Sequence, residues 1–474
     1  MHEMGLPAVM QAIEKNLAEG KVGAAENLLW PALSQYPTVA PLWFYAGNVM
    51  VQTGRDPMAM ICYQHSDELE PNAYVLGNLG AMYRRLNRTD ESRTVLDLAL
   101  FRDPNNISAL ANRGAVAVNN GNPAEGIPFL ERAKELGTDH AADWNLALLY
   151  LEAGRFREGF ELYATGIGHE RFIRTYSWPG GPAEPALLTP ESPRAGKTLI
   201  VYGEQGIGDE LMYGTIIEQA RKDFGAVIFD CHPRLEQLHR QAHPGMEIHP
   251  TRKDEHIRWP LGLGAMADYK APIGELAHLY KTRRESFYWD GPIYRADPVD
   301  TRRYRKRLEE VAQGRPIVGL ALRGGVMSTA RQERTIRAET PLPLFRDTNA
   351  LFVCLDYEDM VEMGAYLEAQ VGPGRYLQVP AITQHWDYDH TAALVAATDL
   401  TVTVCQSVAH LSAGMGHPTR VLVPTKCAWR YGTTDTDWYW YPGPHAQLLR
   451  QDPASNSWEP AIAAAVQAIR EIQP

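Results

Sequence analysis

The stretch Val201-Tyr-Gly-Glu-Gln-Gly-Ile-Gly-Asp-Glu210 sets the character of the centre of this 474-residue chain. Lys197-Thr-Leu-Ile-Val201 leads into it, a short apolar run of the kind that forms a buried strand. Leu211 to Arg221 follows with helical spacing. Strand, glycine-rich turn and helix open a nucleotide-type α/β unit. Glycines let the backbone turn tightly and let another group approach it. The helix start offers free N–H groups and a positive dipole end. The pattern is G-x-x-G-x-G-D, without G-x-G-x-x-G and without a following Gly-Lys-Ser/Thr, so it supports neither a dinucleotide fingerprint nor a P-loop. Asp209 and Glu210 stand where a carboxylate complements the helix dipole as an N-terminal cap.

Composition bounds the class. Apolar residues make up 45% of the chain and charged residues 22%, an ordinary globular balance for two to four domains. The net charge of −11 argues against general binding to nucleic acid or anionic membrane. The five cysteines are widely spaced with no C-x-x-C, which fits a reducing cytoplasm. The N-terminal residues lack a secretion pattern, and no stretch has 18 uninterrupted apolar residues, so a cytoplasmic protein without a membrane span is expected.

Residues 1–165 repeat with a period near 34, marked by Gly20, Gly54, Asn87, Gly121 and Gly154. Each mark is expected in a turn between two helices, and Pro37, Pro71 and Pro104 close the first three units. Gly47, Gly80 and Gly114 are expected to let paired helices approach, with Trp43, Tyr83 and Tyr150 filling the gaps between them. The pattern resembles the tetratricopeptide repeat, TPR. Stacked pairs make an α-solenoid with a concave groove, expected near Trp43, Tyr83 and Arg113. That groove reads either as a site for a partner or acceptor, or as a structural cap on the domain behind it.

Proline and glycine then dominate residues 166–196, which read as a linker in which Trp178 packs against a flanking domain. From Lys197 onward strands alternate with helices, which implies parallel sheets covered by helices. Strands are expected at 198–202, 226–230, 246–249, 316–322, 351–355, 400–404 and 420–424. His232-Pro-Arg follows the second of these at a carboxyl end, where open parallel sheets bind ligands. His232, His239, His243 and His249 fit no standard zinc spacing. Tyr269–Tyr294 reads as loops and short helices, and 448–451 as a lead into a terminal helix over 459–472. Cys405-Gln-Ser-Val-Ala-His410 ends a strand and starts a helix low in bulk, which suits a diphosphate; Ser407 either donates to a phosphate oxygen or caps the helix.

An ordered set of motifs spreads over nearly the whole chain. It runs from Gly159-Phe-Glu-Leu-Tyr163 and Trp178 through Gly203–Asp209 and Val318-Gly-Leu320. It continues with Ser407–Gly414, Trp429-Arg430, Trp438-Tyr439 and Leu449–Gln451. The set resembles bacterial TPR proteins with a heptosyltransferase-like GT-B region, and more distantly protein O-GlcNAc transferase. The resemblance implies a TPR α-solenoid followed by a GT-B fold of two Rossmann-like α/β domains, at 197–312 on the acceptor side and 313–474 on the nucleotide-sugar donor side.

The activity implied is a metal-independent glycosyltransferase. It moves a sugar from a nucleotide-sugar to a protein or glycan acceptor recruited with help of the TPR groove, the nucleotide-sugar being co-substrate and no cofactor being required. Asp209 matches the aspartate of the family's G-D turn, the candidate general base for an acceptor hydroxyl. Glu204, Gln205, Gly206 and Gly208 form the acceptor-side loop. Cys405, Gln406, Ser407, Val408 and His410 match the loop that holds the donor diphosphate. Arg323 with Gly324, Arg334 and Lys426 are expected to meet charge on the leaving nucleotide. Three donor-side positions depart from relatives. Cys405-Gln406 stands where many have Asp-Thr, Leu322-Arg-Gly-Gly325 where they have Trp-Ala-Gly-Asn, and His390 where they have Asp. The alternative is a TPR scaffold whose GT-B body is degenerate and non-catalytic.

Overall fold

In the computed structural model, the five turn marks of the repeat share one backbone conformation. Gly20, Gly54, Gly121 and Gly154 have φ of 69°, 72°, 63° and 77°, and Asn87 has 58°. This left-handed region suits glycine, and asparagine tolerates it best among side-chain-bearing residues. The structure describes residues 5–137, 140–166, 185–251, 267–324, 335–357 and 360–472. Trp178 and Arg334 lie outside them. Among the described residues no helix is long and apolar enough to cross a membrane.

The marks separate the helices of successive hairpins. These are α1 (Leu6–Ala18) with α2 (Val22–Gln35), α3 (Ala40–Gln52) with α4 (Asp56–Leu69), α5 (Ala73–Arg85) with α6 (Thr89–Arg102), and α7 (Ile107–Asn120) with α8 (Pro123–Glu135). Then comes α9 (His140–Glu152). Within each hairpin a glycine lets the helices touch. A Cβ on Gly47 would lie 2.4 Å from Tyr63, one on Gly80 2.4 Å from Leu96, and one on Gly114 2.2 Å from Leu130. The helical-repeat expectation therefore holds with its physical cause.

The groove residues differ from expectation. α1, α3 and α5 line a cavity of about 490 Å³ with Glu14, Phe44, Tyr45, Asn48, Gln52 and Tyr74. Trp43 is not among its lining residues; its indole N–H donates to the Pro37 carbonyl at 2.7 Å. Tyr83 is buried and accepts from Gln64 at 2.7 Å. Arg113 is buried, held by Asp97 at 2.7 Å and Glu125 at 2.6 Å. Aromatic and basic residue types point to a groove only when their helix face turns outward; Tyr83 and Arg113 face inward, and Trp43 is half-buried.

The chain divides into two units, Met1–Tyr150 and Leu151–Pro474. The second begins with the end of α9 and with α10 (Phe156–Tyr163). α10 carries the last repeat marks, yet Phe156 packs on Phe287 and Tyr439, and Phe160 on Trp429, with ring centroids 4.7, 5.5 and 5.7 Å apart.

Two all-parallel sheets follow. The first contains β1 (Ala186–Leu187), β2 (Thr198–Tyr202), β3 (Ala226–Asp230), β4 (Glu247–His249) and β5 (Tyr269–Pro272), in the order β1-β5-β2-β3-β4. The second contains β6 (Ile317–Ala321), β7 (Leu351–Cys354), β8 (Tyr376–Leu377), β9 (Leu400–Val404), β10 (Thr419–Val423) and β11 (Ala446–Arg450), in the order β11-β10-β9-β6-β7-β8. Ala186–Leu187, inside the expected linker, pairs with β5, because the chain there runs along the sheet edge rather than over the surface, and two further strands correct the sequence reading. Tyr269–Pro272, expected as loop or helix, pairs with β2, and Ala446–Arg450 pairs with β10. Both are short and mixed in polarity, so alternation does not betray them.

Each sheet reverses its strand order at one place, between β2 and β5 and between β6 and β9. A crevice opens at such a switch point, beyond the carboxyl ends of the strands. The helix α11 (Ile207–Gly214) leaves the first and the helix Ser407–Gly414 leaves the second. A shared core that includes Leu211, Tyr294, Leu308, Leu394, Val408 and Leu411 joins the two halves.

Replacing Gly80 by alanine inserts a methyl against Leu96. Overpacking costs about 1–3 kcal/mol and outweighs the helix propensity gain of about 1 kcal/mol. We expect a lower denaturation midpoint for the array in Gly80→Ala. In Gly23→Ala, where nothing lies within 4 Å of the new methyl, the midpoint should hold or rise.

Candidate active site between the two sheets

The turn Gly203–Gly206 carries the chain from β2 into α11. Its last residue, Gly206, is the N-cap of α11, and Asp209 Oδ2 accepts the Gly206 N–H at 3.2 Å. Asp209 thus does cap the helix. Its other oxygen lies 2.6 Å from the Arg430 guanidinium. Burial opposes the positive charge of Arg430, but Asp209, Tyr213, Tyr431 and Tyr163 together hold the proton there more tightly than usual. Glu210 turns the other way. It is buried and accepts the His232 N–H at 2.8 Å, so it ties α11 to the end of β3.

The Ser407 helix meets α11 almost without spacing. A Cβ on Gly208 would lie 3.3 Å from the Ser407 Cα and 3.6 Å from the His410 ring. Tyr294, fully buried, locks the far ends. Its hydroxyl donates to the Leu211 carbonyl at 2.7 Å, and its backbone N–H to the Gly414 carbonyl at 3.2 Å.

A cavity of about 380 Å³ opens where the two helices begin. Gly206, Gly208 and Asp209 line one side, and Cys405, Gln406, Ser407 and His410 the other. Arg234, Arg430, Tyr357, Tyr388 and Tyr431 complete it. Two arginines and one carboxylate line it, and two helix N-termini add partial positive charge. The site therefore favours an anion in a chain whose net charge is −11.

The remaining polar groups are held in defined states. Tyr388 donates to Ser407 Oγ at 2.9 Å, which leaves the Ser407 proton to be donated elsewhere. Burial keeps the Tyr388 phenol protonated by pushing it up to about 12. His410 lies between the hydroxyls of Tyr441 and Tyr431, each at 3.2 Å. Burial and Arg430 push its imidazole well below the usual range, so it is neutral. Arg234 donates to the carbonyls of Trp386 at 2.8 Å and His385 at 3.3 Å, bridging the two halves.

Other expected residues stand back from the cavity. Glu204 is buried and accepts from the Gly274 N–H at 3.2 Å, and Gln205 donates to the Tyr163 hydroxyl at 2.5 Å. Val408 packs into the shared core. The Arg323 N–H donates to Asp356 at 3.1 Å and the Gly324 N–H to Thr335 at 3.2 Å. Neither Arg323, Gly324 nor Lys426 is among the lining residues. Arg430, Tyr357, Tyr388 and Tyr431 were missed as site residues, and Arg234 was placed at a ligand-binding edge without a role. The signal for Arg234 was its place after β3, at a strand's carboxyl end.

Asp356, at the end of β7, was also missed. It is 1% exposed and accepts from the Leu322 N–H at 2.9 Å, the Arg323 N–H at 3.1 Å and Gln406 Nε2 at 3.2 Å. Burial pushes its carboxyl up to about 6, against the pull of these donors.

No family model matches the chain. Over 93% of its length it is 24% identical to Protein FlbA of Caulobacter vibrioides, covering 80% of that protein. Among solved structures it is similar to Pseudomonas aeruginosa pilF, at 21% identity over 34% of this chain and 73% of that one, with a TM-score of 0.31. It is likewise similar to a thermophilic TPR protein of Thermus thermophilus, at 21% identity over 33% of this chain and 87% of that one, with a TM-score of 0.30.

Two measurements test this geometry. Replacing Arg430 by methionine strands a carboxylate that is only 18% exposed. Breaking a fully buried pair costs about 3–5 kcal/mol, so we expect about 2 kcal/mol here, with most of it recovered in the Asp209→Asn/Arg430→Met double variant. Denaturant unfolding of the four chains reads the coupling directly. For Asp356, the folded state holds its proton to about pH 6, whereas the unfolded value is 3.8. The folded state binds more protons in that window, so this group's contribution to stability falls as pH rises from about 4 to 6. Unfolding midpoints across that range should show a slope that Asp356→Asn lacks.

Proposed function

We propose that the chain is a metal-independent glycosyltransferase with a GT-B arrangement of its two parallel sheets. The observation that carries this reading is the cavity where two helix N-termini, Arg234 and Arg430 converge on one space. A nucleotide-sugar has a diphosphate that suits such a centre. In the reaction an acceptor hydroxyl attacks the anomeric carbon, and the bond to the diphosphate oxygen breaks with its electron pair. The departing nucleotide takes up negative charge, which the arginines and helix ends are placed to meet. Asp209 is the carboxylate in the cavity, and we assign it the proton of the attacking hydroxyl. Arg430 keeps this carboxylate oriented, and the proton then reduces the charge on the pair as the leaving group gains it.

The helical array supports a role in presenting the acceptor, a protein or a glycan, because its α1–α3–α5 face is concave and partly aromatic. A second reading is a repeat scaffold with a non-catalytic body. The contact of Asp209 with both Gly206 and Arg430 favours it, since a carboxylate that caps a helix and pairs with a guanidinium already has a structural role.

Calorimetric titration with UDP-, GDP- and ADP-sugars separates the two. The transferase reading expects one of them to bind, and Asp209→Asn to abolish transfer while leaving that binding within severalfold of wild type. No binding by any of the three sinks it.

A further inference from the structure

The side chain of Gln406 is not used by the helix it precedes. It occupies the N-cap position of the Ser407 helix but makes no capping hydrogen bond. It is 5% exposed and lines the cavity. Its Nε2 donates to Asp356 Oδ1 at 3.2 Å. Asp356 also receives the backbone N–H groups of Leu322 and Arg323, so three donors surround it and it acts as an acceptor. An amide beside an acceptor must offer its nitrogen. That fixes the rotamer by chemistry: the nitrogen goes to Asp356 and the carbonyl oxygen to the other side. Gln406 Oε1 is buried and has no hydrogen-bond partner among the described residues. A buried acceptor left without a donor is costly, so native structures supply one.

We propose that Gln406 is a specificity residue, whose amide oxygen accepts a hydrogen bond from a hydroxyl of the bound nucleotide-sugar. This deepens the transferase reading and rests on it. An ionised phosphate carries only acceptors, so it cannot satisfy Oε1. The diphosphate belongs instead with Arg430, Arg234 and the helix N-termini. The ligand is thereby ordered along the cavity, with its anionic part at the arginines and a hydroxyl at Gln406. The hydroxyl is either on the transferred sugar or on the ribose, and the chemistry at Oε1 is the same for both. Asp356 is a positioning residue in this scheme. It touches no ligand and acts by holding the amide the right way round.

The test is calorimetry on the full chain with pyrophosphate, with UDP, GDP and ADP, and with the glucose conjugate of each. Gln406→Met keeps the side-chain length and removes both polar ends. For the conjugate that binds wild type, this variant should lose roughly ten- to a hundredfold more affinity than it loses for pyrophosphate, a site built for a hydroxyl being sensitive to loss of the contact. If the extra loss appears with the conjugate alone, the hydroxyl is on the sugar. If it appears equally with the free diphosphate nucleotide, it is on the ribose. Asp356→Asn, which frees the amide to turn, should show the same selective loss in smaller measure, and guards against a local packing defect in Gln406→Met. Equal losses for pyrophosphate, nucleotide and conjugate overturn this inference alone. Binding of no nucleotide or conjugate to wild type overturns the transferase reading and this inference with it.

Discussion

The close contact of α11 with the Ser407 helix at Gly208 is the constraint on which the candidate site depends. A methyl at Gly208 would press on the Ser407 Cα from 3.3 Å, and the two helices would have to part by a few tenths of an ångström. With none, two helix starts come together and their positive ends face one space. That arrangement is unfavourable without a negative group nearby. Asp209 supplies one charge from the first turn of α11, and Arg430 then balances Asp209. What remains is a positively biased cavity with room for a further anion.

The sheets explain why the contact falls where it does. Each reverses its strand order once, and each sends a helix from that point toward the other. The ends of β2 and β5 are tied by Glu204 accepting from Gly274. The ends of β6, β7 and β9 are tied by Asp356, with Gln406 among its donors. Both ties use a buried carboxylate to satisfy backbone N–H groups at a crevice. α10 joins the same construction, since Tyr163 receives the Gln205 amide and Phe160 packs on the tryptophan beside Arg430. The last helix to carry the repeat pattern is thus part of the α/β body.

Much of this was legible in the residues. Five turn marks at a near-constant spacing gave the helical array, because the left-handed turn restricts what can stand there. The run Thr198–Tyr202 and the glycines after it gave the first switch-point helix. Leu400–Val404 and Ser407 gave the second. Local pattern stops at contacts made over long sequence distance. Arg430 meets Asp209 across more than two hundred residues, and nothing near either one signals the pairing. Arg113 and Tyr83 failed as groove residues for the same reason, since burial on a helix is set by the neighbouring hairpin. Asp356 carries no local signal, and its importance comes from three donors that only the sheet brings together. The short strands β5 and β11 escaped because a parallel strand needs partners more than it needs a pattern.

The central claim is that ligand binds where the two helix starts meet. Hydrogen–deuterium exchange with and without a saturating nucleotide-sugar tests it most directly. The account predicts slower exchange in 206–210, 405–410 and 430–431, with the helices of the first unit unchanged. Protection confined to other segments, or none at saturation, would contradict it.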